Sequence, residues 1–416
     1  MTTLSRGHAL SLRGLLVWST MVGLFSEMAR YKAGIDIKAF YFLLLFNSVL
    51  LLSLGRFVIN KPLVLLYGYL LFSGFVSIAA GTNTLRAFSA QYIGIILTSL
   101  YFYNFFRFEH FDFRSLFLLY TRLAYWVCWI GILMLPLQYA FHDSYLRAHS
   151  VMAEPAQFMM IVMPAIYYFL EGTVFHGKYK LESAIGLLSL FLADSSVGYV
   201  GLLLILICLV AKSRHKLLLV TVPLIVAVSI GGFRLVSANF QARFDDMVKA
   251  ATTLNVAEVD VSTYALASNA YVALRVLQEH PLLGNGLGSH EQSHDKYLFD
   301  IAGVGNISAE NQKMNKEEAA SMLIRTASDL GLVGVFLVLL FAWKFHLSGP
   351  SQAATINNAI LIYLLLKLFR AGHYFPPEFF FFVFAYTFSY LYKKAAPVEA
   401  LSTIRWRTSY PEAPAQ

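Results

Sequence analysis

The sequence predicts an all-α, polytopic membrane protein, and three observations carry that prediction. The 416 residues are 58% hydrophobic and only 13% charged, against the roughly 25% charge of soluble domains. Apolar runs long enough to cross a ~30 Å hydrocarbon core as helix recur along almost the whole chain. These runs are continuous and not alternating, which excludes a strand-built barrel.

Twelve spans follow in order, at 9–28, 38–57, 62–80, 86–106, 115–141, 155–171, 181–194, 196–211, 216–232, 330–346, 355–371 and 376–392. The pair around Asp194-Ser195-Ser196 reads either as a tight hairpin between two short helices or as a polar break in one long crossing. Orientation favours the hairpin. With twelve spans and the N-terminus inside, the inner turns collect Arg56 and Lys61, Arg107 and Arg114, Lys178 and Lys180, Lys212, Arg214 and Lys216, and Lys393 and Lys394. The outer turns hold fewer cations, chiefly Arg30, Lys32, Lys38, Arg86, Arg147 and Arg370, as the positive-inside rule requires. The first span lacks a small-residue cleavage site before Arg30 and reads as an uncleaved anchor.

The formal charge of +8 is therefore mainly topogenic, with some attraction to anionic membrane lipids, and nucleic-acid binding is a poor reading. Cys128 and Cys208 both fall in apolar spans and imply no disulfide framework. No repeat or low-complexity linker divides the chain. It reads as one membrane domain, 1–416, with a large outer loop at 233–329 between spans nine and ten. The tail at 395–416, with Arg405 and Arg407, reads as a solvated cytoplasmic end.

The long loop holds most of the motif-like residues, and loops of that length are usually functional. Tyr271, Val272, Leu274, Val276 and Leu277 have helical spacing, and Pro281 ends that helix. Gly284, Gly286 and Gly288 then form a turn that either cradles an anion on its N–H groups or simply terminates the helix. His290-Glu291-Gln292-Ser293-His294 matches the zinc-protease pattern, but it follows glycines and lacks an apolar face, so no metal site is expected. From Asn315 the chain reads as helical again, placing Glu318, Ser321, Arg325 and Asp329 on one face close to the membrane surface.

Outside the loop, Arg147 and Glu154-Pro155 occupy an outer turn, where Glu154 suits a positive helix start. Asp194, Arg122 and Lys367 lie in or beside spans, where charge is costly and calls for a partner or a function. Arg370, His373 and Glu378 cluster on the last outer turn.

At these residues the chain resembles the bacterial O-antigen polymerase and ligase superfamily. The resemblance rests on His280-Pro281-Leu282-Leu283-Gly284-Asn285-Gly286-Leu287-Gly288, on the Arg147 to Glu154-Pro155 turn, and on a long outer loop before the last helices. Asn315-Lys316-Glu317-Glu318-Ala319-Ala320-Ser321 through Arg325, Asp329 and Gly331 is similar to the exopolysaccharide repeat-unit polymerases. Ligases of the superfamily carry a His-Asn pair where this chain has Ala320 and Ser321. The arginine ahead of the His-Pro-Leu motif is also replaced, by Ser268-Asn269, with Arg275 as the nearest substitute.

The resemblance implies an inverting, metal-independent glycosyl transfer, without cofactor, at the outer face of a bacterial inner membrane with both termini cytoplasmic. The donor is an oligosaccharide on undecaprenyl pyrophosphate, and a chain-length regulator and a flippase are the implied partners. Arg147, Arg275 and Arg325, with Arg370 in reserve, are the expected phosphate ligands. Glu318, then Glu154 or His290, is the expected base. His280, Gly284, Gly286, Gly288, Asn315, Glu317, Ser321 and Asp329 are expected to support them. The alternatives are an O-antigen ligase acting on lipid A-core and a flippase or transporter of lipid-linked sugars.

Overall fold

The computed structural model describes residues 12–32, 36–53, 57–109, 112–140, 147–213, 222–253, 256 and 259–395. Residues 9–11 of the first expected span, Arg56, Arg214, Lys216 and the tail beyond Ala395, with Arg405 and Arg407, lie outside them. The described chain is almost wholly helical, apart from a two-stranded ribbon of β1 (Arg30–Lys32) and β2 (Asp36–Lys38). The first block comprises α1 (Leu12–Gly23), α2 (Ala39–Ser53), α3 (Lys61–Ala79), α4 (Leu85–Phe108), α5 (Phe113–Ala140), α6 (Pro155–His176), α7 (Lys180–Ala193), α8 (Ser196–Lys212) and α9 (Val222–Val236). The loop supplies α10 (Ala238–Thr253), α11 (Val261–Glu279), α12 (His290–Tyr297) and the single turn α13 (Ala309–Gln312). The chain then closes with α14 (Met322–Lys344), α15 (Gln352–Phe369) and α16 (Phe379–Ala395).

Five of these helices, α3, α5, α6, α14 and α15, are long and apolar enough to cross a membrane. Of these, α6 is the most enclosed, with 78% of its apolar stretch buried against 22% for α3. It forms the axis of the bundle. Pro155 starts it where a missing N–H costs nothing, and Gly177, left-handed at φ 66°, ends it.

Around this axis α7 and α8 form a hairpin. Gly186 packs on Ile166 and Leu192 O accepts from Ala148 N, so α7 runs back toward the start of α6. Gly198 and Gly201 then pack on Met159 and Met163, and Lys212 reaches Glu171, so α8 runs forward again. Small residues at such contacts let apolar helices approach closely. Asp194 sits at the hairpin tip in a left-handed conformation, φ 42°. The alternative of one unbroken crossing is thereby set aside.

Neighbouring contacts show the same alternation elsewhere. Arg13 meets Glu109 and Arg114 lies over Tyr392 at one end, while Asn83 meets Leu287 and Asp194 meets Ser237 at the other. The second end, here the loop end, carries every segment between α9 and α14. Ser237 stands between α9 and α10, so the helix before the loop runs on past Phe233 to Val236. Its N–H closes α9 on Phe233 O, and its hydroxyl accepts from Phe240 N to open α10. Within the loop Val256, Tyr264, Leu298, Ile301 and Val304 form a small apolar kernel of their own.

Candidate functional site

The glycine run is a docking latch. Asn285 N–H donates to Ser328 O (2.9 Å), Gly286 N–H to Asp329 O (2.8 Å), and Gly288 N–H to the Asp329 carboxylate (3.0 Å). His290 N–H (3.0 Å) and the Tyr374 hydroxyl (3.1 Å) bond the same carboxylate. With those N–H groups occupied by the chain itself, the anion-cradle reading of Gly284, Gly286 and Gly288 does not hold. Asp329 is fully buried and holds the loop in place, a structural role where a place beside the substrate was expected.

The expected helical face from Glu318 to Asp329 does not form. Asn315, Ala319 and Ala320 are left-handed, with φ of 55°, 57° and 55°, which no right-handed helix accommodates. The helix opens only at Met322, where the Ser321 hydroxyl accepts from Ile324 N and itself donates to Leu368 O at 2.6 Å. Ser321, Arg325 and Asp329 remain on α14, but Glu318 is swung out of line. Its carboxylate, 45% exposed, faces His373 Nε2 at 3.8 Å.

Arg325 is 3% exposed. It donates to Gly372 O (3.1 Å), lies 3.5 Å from the Asp329 carboxylate and stacks 4.5 Å over Tyr374. Its charge is consumed in holding the 370–374 turn against α14, so it is a positioning group more than a free phosphate ligand.

A different set of cations borders an apolar groove. Tyr199, Val200, Leu203, Ile230, Phe233 and Phe240 line it, with Arg243 and Arg370 on its rim, around about 840 Å³ of space partly open to solvent. Arg243, on α10, bonds the Ser196 hydroxyl (3.2 Å). Arg370, which caps α15, bonds the Ser262 hydroxyl (2.5 Å) and carbonyl (3.5 Å). Neither makes an ion pair among the described residues.

Asp194 positions this rim. It accepts from Ser237 (2.5 Å), Asn239 (2.6 Å) and Tyr199 (2.9 Å), tying the α7–α8 tip to the start of α10. Burial alone would raise its pKa, but those bonds and the charge of Arg147 hold the carboxyl below its ordinary value. Arg147 reaches Asp194 O at 3.5 Å. Glu154 is exposed at the start of α6 and makes no side-chain cap bond.

Of the expected residues only Arg370 lines the groove; Arg147 stands behind its rim through Asp194, and the others lie apart. Arg275 is half-exposed on α11, bonded to Gln278 (3.1 Å) and near Asp300 (3.9 Å), outside the groove. His290 is fully buried, with Nε2 on Asn269 Oδ1 at 2.7 Å, and no substrate hydroxyl reaches it. Its role as base is withdrawn on that ground. His280 and Glu317 are exposed, and Arg122 is exposed on α5 and joins neither cluster. Glu291 is paired with Lys316 (2.8 Å), and among the described residues no group of three or more His, Cys, Asp or Glu is arranged to hold a metal ion.

Sequence reasoning missed Arg243 because no motif surrounds it. The available signal was the apolar spacing of Phe240, Phe244 and Met247 beside a lone arginine on one helix. No family model matches the chain, and no curated protein matches it.

Proposed function

We propose that this chain is a twelve-span glycosyltransferase of a bacterial inner membrane that polymerises lipid-linked oligosaccharide repeat units at the outer face. One observation carries the reading: an apolar groove with an aromatic wall ends in two arginines that make no ion pair among the described residues. Guanidinium forks suit a diphosphate, and the aromatic wall suits isoprene. The loop end is the outer face, because Arg107, Arg114, Lys178, Lys212 and Lys393 lie at the other end. The resemblance to repeat-unit polymerases supplies the reaction class, with undecaprenyl pyrophosphate as carrier and a flippase and chain-length regulator as partners.

In this reaction the bond between the anomeric carbon and the diphosphate oxygen breaks, and the diphosphate departs with the electron pair. Arg243 and Arg370 stabilise the departing charge, with Arg147 behind them. The acceptor hydroxyl oxygen forms the new glycosidic bond from the opposite side of the sugar, and its proton passes to the Glu318 carboxylate. Glu154 balances the arginine rim.

Purified protein in proteoliposomes, given lipid-linked repeat units, should build a ladder of glycans. An Arg243→Ala/Arg370→Ala variant, inserted normally, should leave single repeats. An unchanged ladder in that variant removes the groove from the reaction. Transbilayer movement of substrate without a ladder identifies a flippase, and transfer only to lipid A-core identifies a ligase.

A further inference from the structure

The loop end has a second corner, separated from the arginine groove by the 370–374 turn. Arg370 faces Ser262 on the groove side. Ala371, left-handed at φ 77°, donates its N–H to Ala320 O (2.8 Å), and the next residue, Gly372, is pressed so closely on Glu318 that an added Cβ would fall 1.5 Å from its carbonyl oxygen. His373 then emerges beside the Glu318 carboxylate. Three residues carry the chain from an anion-binding rim to an acid–imidazole pair.

The chemistry of this corner differs from that of the groove. The His373 ring meets Phe375 edge-on at 4.8 Å, and Phe375 lies 6.2 Å from Tyr41, whose hydroxyl bonds Phe375 O at 3.5 Å. Gly94 of α4 fixes the Phe375 ring, since any Cβ there would lie 2.6 Å from it. The nearby cations are turned inward: Lys38 pairs with Glu27 at 2.6 Å, Arg325 lies beside Asp329, and Lys367 is buried over the Phe379 ring. Burial and the charges of Lys38, Arg325 and Lys367 keep His373 neutral, well below its ordinary pKa, and its Nδ1 makes no hydrogen bond. Glu318 is the acid facing it.

We propose that Glu318, His373, Phe375 and Tyr41 form a saccharide subsite for the uncharged sugar ring that bears the attacking hydroxyl. This rests on the reading of the loop end as a glycosyl-transfer site. A pyranose presents an apolar C–H face and a rim of hydroxyls. The Phe375 and Tyr41 rings supply the apolar wall, the half-exposed carboxylate accepts from hydroxyls, and the His373 imidazole, with Nε2 3.8 Å from that carboxylate, orients it. Lys38, Arg325 and Lys367 are all buried, and a corner that exposes none of them does not select phosphate. The two substrates of a transfer thus meet on opposite sides of one turn, with donor diphosphate at Arg370 and acceptor hydroxyl at Glu318.

The test uses the full chain in nanodiscs with neutral methyl glycosides of glucose, galactose, rhamnose and N-acetylglucosamine, read by saturation-transfer NMR, and inorganic pyrophosphate, read by calorimetry. At least one glycoside should bind the native chain. His373→Gln and His373→Phe should each weaken that binding by about tenfold or more while pyrophosphate binding and thermal unfolding at pH 7 stay native, and Phe375→Ala, which also loses packing, should weaken it with pyrophosphate binding kept. Arg243→Ala/Arg370→Ala should do the reverse. Absence of transfer from every glycoside, or native glycoside binding in all three corner variants, overturns the subsite. Glycoside binding without any pyrophosphate binding overturns the groove and leaves the subsite standing.

Discussion

Gly331 offers the sharpest quantitative test of the latch that docks the loop. It joins the two halves of α14 at φ 63° and ψ −161°, a region essentially reserved for glycine that costs other residues about 1–3 kcal/mol. A Cβ at this position would lie 2.4 Å from Leu282 O and 2.6 Å from Gly284 N. Both are backbone atoms of the docked loop, so no side chain can rotate aside. The loop must move, and with it go Leu332 N to Pro281 O, Val333 N to Leu282 O, Asn285 N to Ser328 O and Gly286 N to Asp329 O. At about 1 kcal/mol net for each of these bonds, Gly331→Ala costs the docked state about 5–7 kcal/mol when strain is included. Opening of the loop should rise by a factor on the order of 10⁴–10⁵, read as faster proteolytic cleavage between 280 and 300 in nanodiscs. Gly305→Ala is the control, because a Cβ there meets nothing within 4 Å. Equal cleavage rates in the two variants would refute the latch.

Four further outcomes are expected. Arg275→Ala should leave glycan length unchanged, since the side chain lies outside the groove; shortened glycans would return it to the site. Asp194→Ala should release α10 from the α7–α8 tip, weakening pyrophosphate binding to the intact chain by about tenfold or more, and native affinity would show that Asp194 does not set the rim. His290 and His373 are held neutral, His290 by burial and the charge of Arg325, whereas both titrate normally once unfolded. Their share of stability is therefore complete above the ordinary value of 6.5 and is lost as pH falls below it. Thermal unfolding between pH 7 and 5 should show this loss, and His290→Gln/His373→Gln should flatten it; an equal slope in the double variant contradicts the assignment. Asp329→Asn should leave Arg325 buried beside a neutral group and destabilise the docked loop by about 3–5 kcal/mol, seen as faster cleavage in the same proteolysis assay.

The sequence made the apolar helices readable because each keeps water away from its backbone over many residues. The α11 helix, its stop near Pro281 and the hairpin at Asp194 were equally legible, since helical spacing, proline and a polar break are local signals. The segment from Asn315 to Ala320 was not. Its lysine, glutamates and alanines are good helix formers, yet bonds such as Ala371 N to Ala320 O hold it in left-handed turns against that propensity. The same limit applies to the glycines, whose N–H groups find Asp329 some forty residues away, and to Arg243, which meets Arg370 only after folding. Glu154 and Arg370 could be placed from the sequence because they stand at helix ends, where the positions of charged groups follow from topology.

The three left-handed alanines, Ala319, Ala320 and Ala371, have a consequence for motion. Glycine would relieve each dihedral, but Ala319 and Ala320 are buried, at 0% and 4% exposure, and their methyl groups fill space that glycine would leave open. The joint between α14 and α15 is consequently stiff, with few alternative dihedrals to absorb a push. The Ala371 N to Ala320 O bond ties the Arg370 side of the turn to the Glu318 side, so under the proposed function a displacement of Arg370 by a bound anion would be felt at Glu318.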